Sequence, residues 1–125
     1  MRLVVTILVT NTDDQLKNHG FVYAGDSQWT LSPLFDVNPQ PERHRLLKTA
    51  IMEGAPFEAS LDQALEAAVF FRLPLPEAKQ RAGTRVLQIH GSWQAIMRQL
   101  GVSGRDLGQL EPAFEHREME RVLAL

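Results

Sequence analysis

The sequence predicts a mainly α-helical domain that carries one small β-hairpin near its N-terminal end. Three observations carry this expectation. Two short runs rich in aromatic and β-branched residues, 20–23 and 28–31, flank Ala24-Gly25-Asp26-Ser27, whose residues supply turn chemistry. From Ser60 onward, apolar residues recur at helical spacing. Proline and glycine at positions 74, 76, 101 and 112 then mark where helices stop and start.

The elements follow in order. Residues 1–10 are rich in β-branched types, and propensity alone reads them as a buried strand. The hairpin comes next. Residues 37–45, with Asn38-Pro39-Gln40-Pro41, form a loop, because proline lacks a backbone donor and restricts the residue before it. Residues 44–51 are open between a short strand and a helical turn, and 54–57 break them. Ser60 is an N-cap, and Gln63 three residues later completes a capping-box pattern. That helix runs to about Arg72 with Leu61, Leu65, Ala68 and Phe71 near one face. A long helix starts near Pro76, with Ala78, Ala82, Val86 and Ile89 on its apolar face. Gly91 is a candidate kink, or a break at Ser92. Trp93, Ile96, Met97 and Leu100 continue the face to Gly101. Ser103 caps one short turn. Pro112 suits the first residue of a last helix that ends near Leu123.

Composition narrows the function classes. At 125 residues the chain fits one domain, 1–125, with no linker dividing it. Hydrophobic residues make up 44% and charged residues 22%, the proportions of a globular chain rather than a disordered one. A net charge of −2 argues against direct nucleic-acid binding, which favours a basic surface. The chain has no Cys, so it has neither disulfides nor thiolate zinc sites, and a cytoplasmic location is expected. The apolar run 3–9 is too short to span a bilayer, so no membrane association is expected.

The chemistry concentrates in Asn11-Thr12-Asp13-Asp14-Gln15-Leu16-Lys17-Asn18 and in Leu34-Phe35-Asp36. Asp13 stands five residues before Asn18, and a further acid, Asp36, follows the hairpin. This order matches the floor of a protein-kinase site: an Asp for the hydroxyl proton, an Asn for metal, and a later Asp for metal on the phosphates. Phosphoryl transfer needs positioning and charge neutralisation, and oxygen ligands suit Mg²⁺. The spacing alone is a weak signal, because Asp and Asn are common in turns, where they bond nearby backbone.

The residues around the motif strengthen it. Asn11-Thr12-Asp13-Asp14, Lys17-Asn18-His19-Gly20-Phe21 and Leu31-Ser32-Pro33-Leu34-Phe35-Asp36-Val37-Asn38-Pro39 resemble the C-terminal half of HipA-like serine/threonine kinase toxins. Leu46 to Ile51 with Glu53-Gly54, Ala59-Ser60-Leu61, and Leu110 to His116 extend the resemblance along the chain. It implies a protein-kinase-like C-lobe, in which residues 1–10 are the end of a helix leading into the catalytic loop. We adopt that helix, since burial overrides propensity. It implies Asp13 as catalytic base and Asn18 and Asp36 as metal ligands; Lys17 is open between facing the transferred phosphate and a solvated surface position. ATP and Mg²⁺ would be the cofactors and a protein serine or threonine the substrate. A DNA-binding antitoxin and a separate N-terminal nucleotide-binding lobe would be partners. Where the family usually carries His, this chain has Gln15. No Gly-rich loop with a nucleotide-binding Lys is found, and Lys17, Lys48 and Lys79 lie in other contexts. The isolated chain is therefore expected to bind ATP weakly and to be inactive alone. Two other readings stay open: a non-catalytic protein-binding remnant, and one half of a split kinase.

Several neighbours have plain structural readings. Asp14 braces the loop, Asn11 bonds it, and His19 packs beside it. Trp29, Phe35 and Trp93 read as core. Arg43, His44, Arg45 and Lys48 read as a solvated basic loop, and residues 115–121 as an exposed helix face. Apolar surface at Leu3 to Val9 and on the hairpin is expected to drive homodimerisation.

Overall fold

A computed structural model describes residues 1–124. It is mostly helical with one two-stranded antiparallel hairpin, as expected. Helix α1 spans Arg2–Leu8, a 3-10 turn spans Leu16–Asn18, and strands β1 (Phe21–Gly25) and β2 (Gln28–Leu31) follow. Helix α2 (Leu61–Glu66) continues as a 3-10 segment, Ala67–Phe71. Then come α3 (Leu75–Gln99), α4 (Gly104–Phe114) and α5 (Arg117–Leu123). Among the described residues, no helix is long and apolar enough to cross a membrane.

α1 is the hub. Its side chains leave in three stripes spaced i, i+4, and each stripe enters a different apolar cluster. Val4 and Leu8 pack with Leu61, Ala82, Val86, Met119 and Val122. Leu3 and Ile7 pack with Leu47, Ala59 and Ala64. Val5 and Val9 pack with Trp93, Ala113 and Phe114. A helix apolar on every side is stable only when surrounded, which is why this β-branched run is helical here. The expected exposure of residues 3–9 is therefore corrected: Ile7 and Leu8 are 0% exposed.

The hairpin is the opposite case. Asp26 and Ser27 both have positive φ, 48° and 59°, the signature of a tight primed turn, and Gly25 (φ 88°) absorbs a bulge before it. Every β2 residue is exposed, and so are Phe21, Val22 and Tyr23. Trp29 is 63% and Phe35 47% exposed, so neither is core. They were expected inside because their types are apolar. A two-stranded sheet with no helix packed closely on it cannot bury Trp29, and Phe35 lies in the open loop after β2.

Four boundary expectations change. Residues 44–51 form neither strand nor helix and make a single bridge, Leu46 to Glu58. α3 passes unbroken through Gly91, because Val86, Ile89 and Trp93 anchor both sides in the core, while the exposed Gly91 bears no packing. Ser103 precedes an eleven-residue helix rather than a short turn. Pro112 sits inside α4 instead of starting the last helix, and the carbonyl its ring opposes belongs to Gly108. α5 begins after His116, whose Nδ1 accepts from the Met119 N–H at 3.3 Å. Faces differ as well. Phe71, Ile96 and Leu100 are exposed, while Glu118 and Met119, read as surface, are buried. The Glu118 carboxylate accepts from the Leu61 N–H at 2.6 Å, which explains a buried acid at the start of α2.

Candidate functional site

The loop between α1 and β1 is fixed from both ends. Thr10, at φ 54°, turns the chain sharply out of α1, and its hydroxyl donates to the Ala113 carbonyl at 2.9 Å. Asp14 braces the interior: it accepts from the Thr6 hydroxyl at 3.2 Å and from His19 Nε2 at 3.1 Å. Asn11 Oδ1 accepts from the Asn38 N–H at 3.2 Å, which ties this loop to the segment after Asp36. Asp14 and His19 brace the loop as the sequence suggested, while Asn11 bonds the backbone of the Asp36 segment rather than that of its own loop.

Asn18 and Asp36 meet directly. Asn18 is buried, and its Nδ2 donates to Asp36 Oδ2 at 2.8 Å. Its Oδ1 accepts from the Gln15 N–H at 3.0 Å, so the amide orientation is set by bonds on both sides. The other oxygen of Asp36 accepts from Asn38 Nδ2 at 2.8 Å. Asp36 holds φ 54°, a left-handed conformation that Asp tolerates better than most residues. Residues eighteen positions apart are thus brought together by the hairpin between them.

Asp13 lies on the same loop, but its direct contacts are elsewhere. Its carboxylate pairs with the Lys48 ammonium and accepts from Gln15 Nε2 at 3.3 Å, and both contacts fall on Oδ1. Gln15 therefore links Asp13 to Asn18, using its side chain for one and its N–H for the other. The Lys48 hydrogen bond and then the Gln15 hydrogen bond hold the Asp13 carboxyl below its usual range. Lys17 is exposed and adds a weaker positive field at Asp13.

Asp36 presents an exposed carboxylate, whereas Asn18 turns its Nδ2 toward Asp36 and its Oδ1 toward the Gln15 N–H, so the two would share a divalent cation through oxygen only with the Asn18 amide turned over. Asp36 is exposed, and Asn18 Oδ1 keeps a second lone pair beyond its bond to Gln15. Mg²⁺ binds through one or two protein oxygens and takes its remaining ligands from water and phosphate, so the Asp36 carboxylate alone, or with a turned Asn18 amide, has the chemistry such an ion needs. Among the described residues, no group of three or more His, Asp or Glu forms a cage able to hold a metal by itself.

Sequence reading placed Gln15 and Asn38 in the motif without giving them a bonding role, and it missed Lys48 as a member of this region. Asn38 carried a signal, since an Asx pair at i, i+2 commonly closes a turn. Lys48 carried none, because its contact is made across 35 residues of chain. A cavity of about 450 Å³ lies behind the loop, lined by Leu3, Asp14, His19, Leu31, Ile51 and Phe71 among others.

Comparison with known proteins agrees with the motif. No curated protein and no solved structure matches the chain. A family model described as the HipA-like C-terminal domain matches residues 1–99, which include the whole Asp13–Asn18–Asp36 region. Helices α4 and α5 lie beyond the matched span, yet they supply Phe114, Met119 and Val122 to the core. With the family matched over most of its length, this chain belongs to the HipA-like C-terminal domain family.

Proposed function

We propose that this chain forms the C-lobe of a HipA-like protein serine/threonine kinase, acting in ATP-dependent phosphoryl transfer to a protein hydroxyl in a toxin–antitoxin setting. The observation that carries the reading is the 2.8 Å contact between Asn18 and Asp36, beside a loop that presents Asp13. In this reading Asp13 orients the acceptor hydroxyl and takes its proton. Asn18 and Asp36 hold Mg²⁺, which when bound neutralises phosphate charge and aligns the transferred group. Lys17 faces the phosphates as a point charge. Asp13, ionised at neutral pH like any aspartate, is made a weaker base by its Lys48 and Gln15 hydrogen bonds, so its part is to orient the hydroxyl more than to take the proton early.

Two measurements test this. In the first, Mn²⁺ is titrated into the isolated chain and followed by paramagnetic broadening, with Mg²⁺ as competitor. Broadening should begin at Asn18 and Asp36 and disappear in Asp36→Ala. In the second, a nucleotide-binding lobe from a HipA-like kinase is supplied in trans with labelled ATP and a protein acceptor. Label should reach serine or threonine, and both Asp13→Asn and Asp36→Asn should abolish it. Divalent binding elsewhere, together with no transfer in the presence of the added lobe, would exclude the kinase reading.

A second reading is favoured by the hairpin. Phe21, Tyr23, Trp29 and Leu31 are all more than half exposed and lie on one small sheet. Apolar surface of this kind marks a protein contact. A non-catalytic binding module would keep that surface and the fold while showing no divalent binding at Asp36.

A further inference from the structure

Lys48 does not behave as a free surface lysine. Arg45 donates to the Ile7 carbonyl and, through Nε at 3.1 Å, to the Thr10 hydroxyl, which pins the segment to the end of α1. Leu46 bridges to Glu58, and the Leu47 N–H donates to the Phe57 carbonyl at 2.6 Å. The Lys48 N–H then donates to the Thr12 carbonyl at 3.2 Å, and the Thr49 hydroxyl to the Asp14 carbonyl at 3.3 Å. The residues on both sides of Asp13 are thus stitched to Lys48 and its neighbour. An exposed ion pair usually contributes little, because two mobile side chains must be held in place. Here the backbone bonds already hold the two residues side by side, so only the side chains remain to be ordered.

We infer that Lys48 is a positioning residue for Asp13: with Gln15 it grips the carboxylate by Oδ1 and leaves Oδ2 for a hydroxyl-bearing substrate. This rests on the phosphoryl-transfer reading above. A free carboxylate exchanges its two oxygens by rotation about Cβ–Cγ. Contacts on one oxygen remove that freedom and orient the other. In the reaction, the substrate hydroxyl gives its proton to Oδ2. Its oxygen forms the new bond to the γ-phosphorus of a nucleoside triphosphate. The old phosphorus–oxygen bond breaks, and its electron pair leaves with the diphosphate. A carboxylate held by a cation is a weak base, so its main contribution is orientation, with the proton moving late.

The test compares Lys48→Met and Lys48→Arg with the wild type, with circular dichroism confirming that each folds. The first readout is the carboxyl-carbon titration of Asp13 by NMR. In Lys48→Met the midpoint should rise toward the ordinary aspartate value of 3.8, and Lys48→Arg should keep it low. The second is transfer with the nucleotide-binding lobe supplied in trans. Lys48→Met should lower kcat by about 10–100-fold with little change in the nucleotide KM, and Lys48→Arg should restore most of the rate. An Asp13 titration unchanged in Lys48→Met overturns the clamp, whatever the transfer assay reads. A shifted titration with undiminished kcat overturns the positioning role. A wild type that transfers nothing, although its Asp13 titration follows Lys48, overturns the phosphoryl-transfer reading and the role given to Oδ2 with it.

Discussion

Replacing Asn18 with alanine, beside Asp36→Asn, separates the structural role of that side chain from the metal role proposed for the pair. Asn18 is 7% exposed and makes two side-chain hydrogen bonds, one with the Gln15 N–H and one with the Asp36 carboxylate. Losing the neutral bond strands a partly buried N–H and costs about 1 kcal/mol. The bond to Asp36 is charge-assisted, a class worth about 1.5–3 kcal/mol, and the low end applies because water can reach the exposed Asp36. Asn18→Ala should therefore destabilise the chain by about 2–3 kcal/mol. Asp36→Asn keeps an acceptor for Asn18 Nδ2, gives up the one for the exposed Asn38 Nδ2, and should cost less than Asn18→Ala, about 1 kcal/mol, while removing the carboxylate proposed to hold the divalent cation. Urea denaturation followed by circular dichroism and extrapolated linearly gives both numbers. An Asn18→Ala chain within about 0.5 kcal/mol of wild type would show that the two bonds contribute nothing in solution, and the argument built on them would fail.

Other expectations follow from the core and the surface. Leu8→Ala should cost about 3–5 kcal/mol in the same denaturation assay, because Leu8 is wholly buried in the largest cluster and its neighbours come from three other helices. His116 is kept neutral by burial first and by the nearby Arg45 charge second, so its folded pKa lies below the ordinary 6.5. The unfolded chain then takes up the proton first. The stability from this group is complete above 6.5 and is lost as pH falls through the lower folded value. The urea midpoint should drop on that acid side, and His116→Asn, which keeps a capping acceptor, should flatten the drop. Trp29→Phe should leave the blue-shifted emission of a buried indole, since Trp93 is 4% exposed and stacks on Phe114 at 4.6 Å. Light scattering should show self-association that Phe21→Ser and Trp29→Ser together reduce, and a concentrated wild type that stays monomeric would contradict a sticky hairpin.

What the sequence disclosed depended on how local each cause was. The hairpin was legible because Ala24 to Ser27 are turn residues between two β-prone runs, and Ser60 was legible as a cap from Gln63 alone. α1 was not legible from its own residues. Val4, Val5, Thr6 and Ile7 favour a strand, and only the partners on three sides make them helical. Gly91 and Pro112 misled for the same reason: residues packed on either side of each overrode a local preference worth about 1–3 kcal/mol. In the site, residues 11–18 and Asp36 could be singled out by type and spacing. The contact between Asn18 and Asp36 needed the fold, and the grip of Lys48 on Asp13 had no trace in the sequence at all.

The placement of α1 also governs how the molecule assembles. Seven residues are too few to hold a helix in water before partners arrive. The partners come late in the chain: the Ala113 carbonyl accepts from Thr10, and the His116 ring donates to the Leu8 carbonyl across 108 residues. A nascent chain therefore exposes this apolar segment and cannot finish burying it until α5 has been made. Contacts of such long range make folding slow, and the waiting chain is open to aggregation or chaperone capture. Removing α4 and α5, although they lie outside the family's matched span, would strip α1 of Ala113, Phe114, Met119 and Val122 and leave two of its three apolar stripes short of partners.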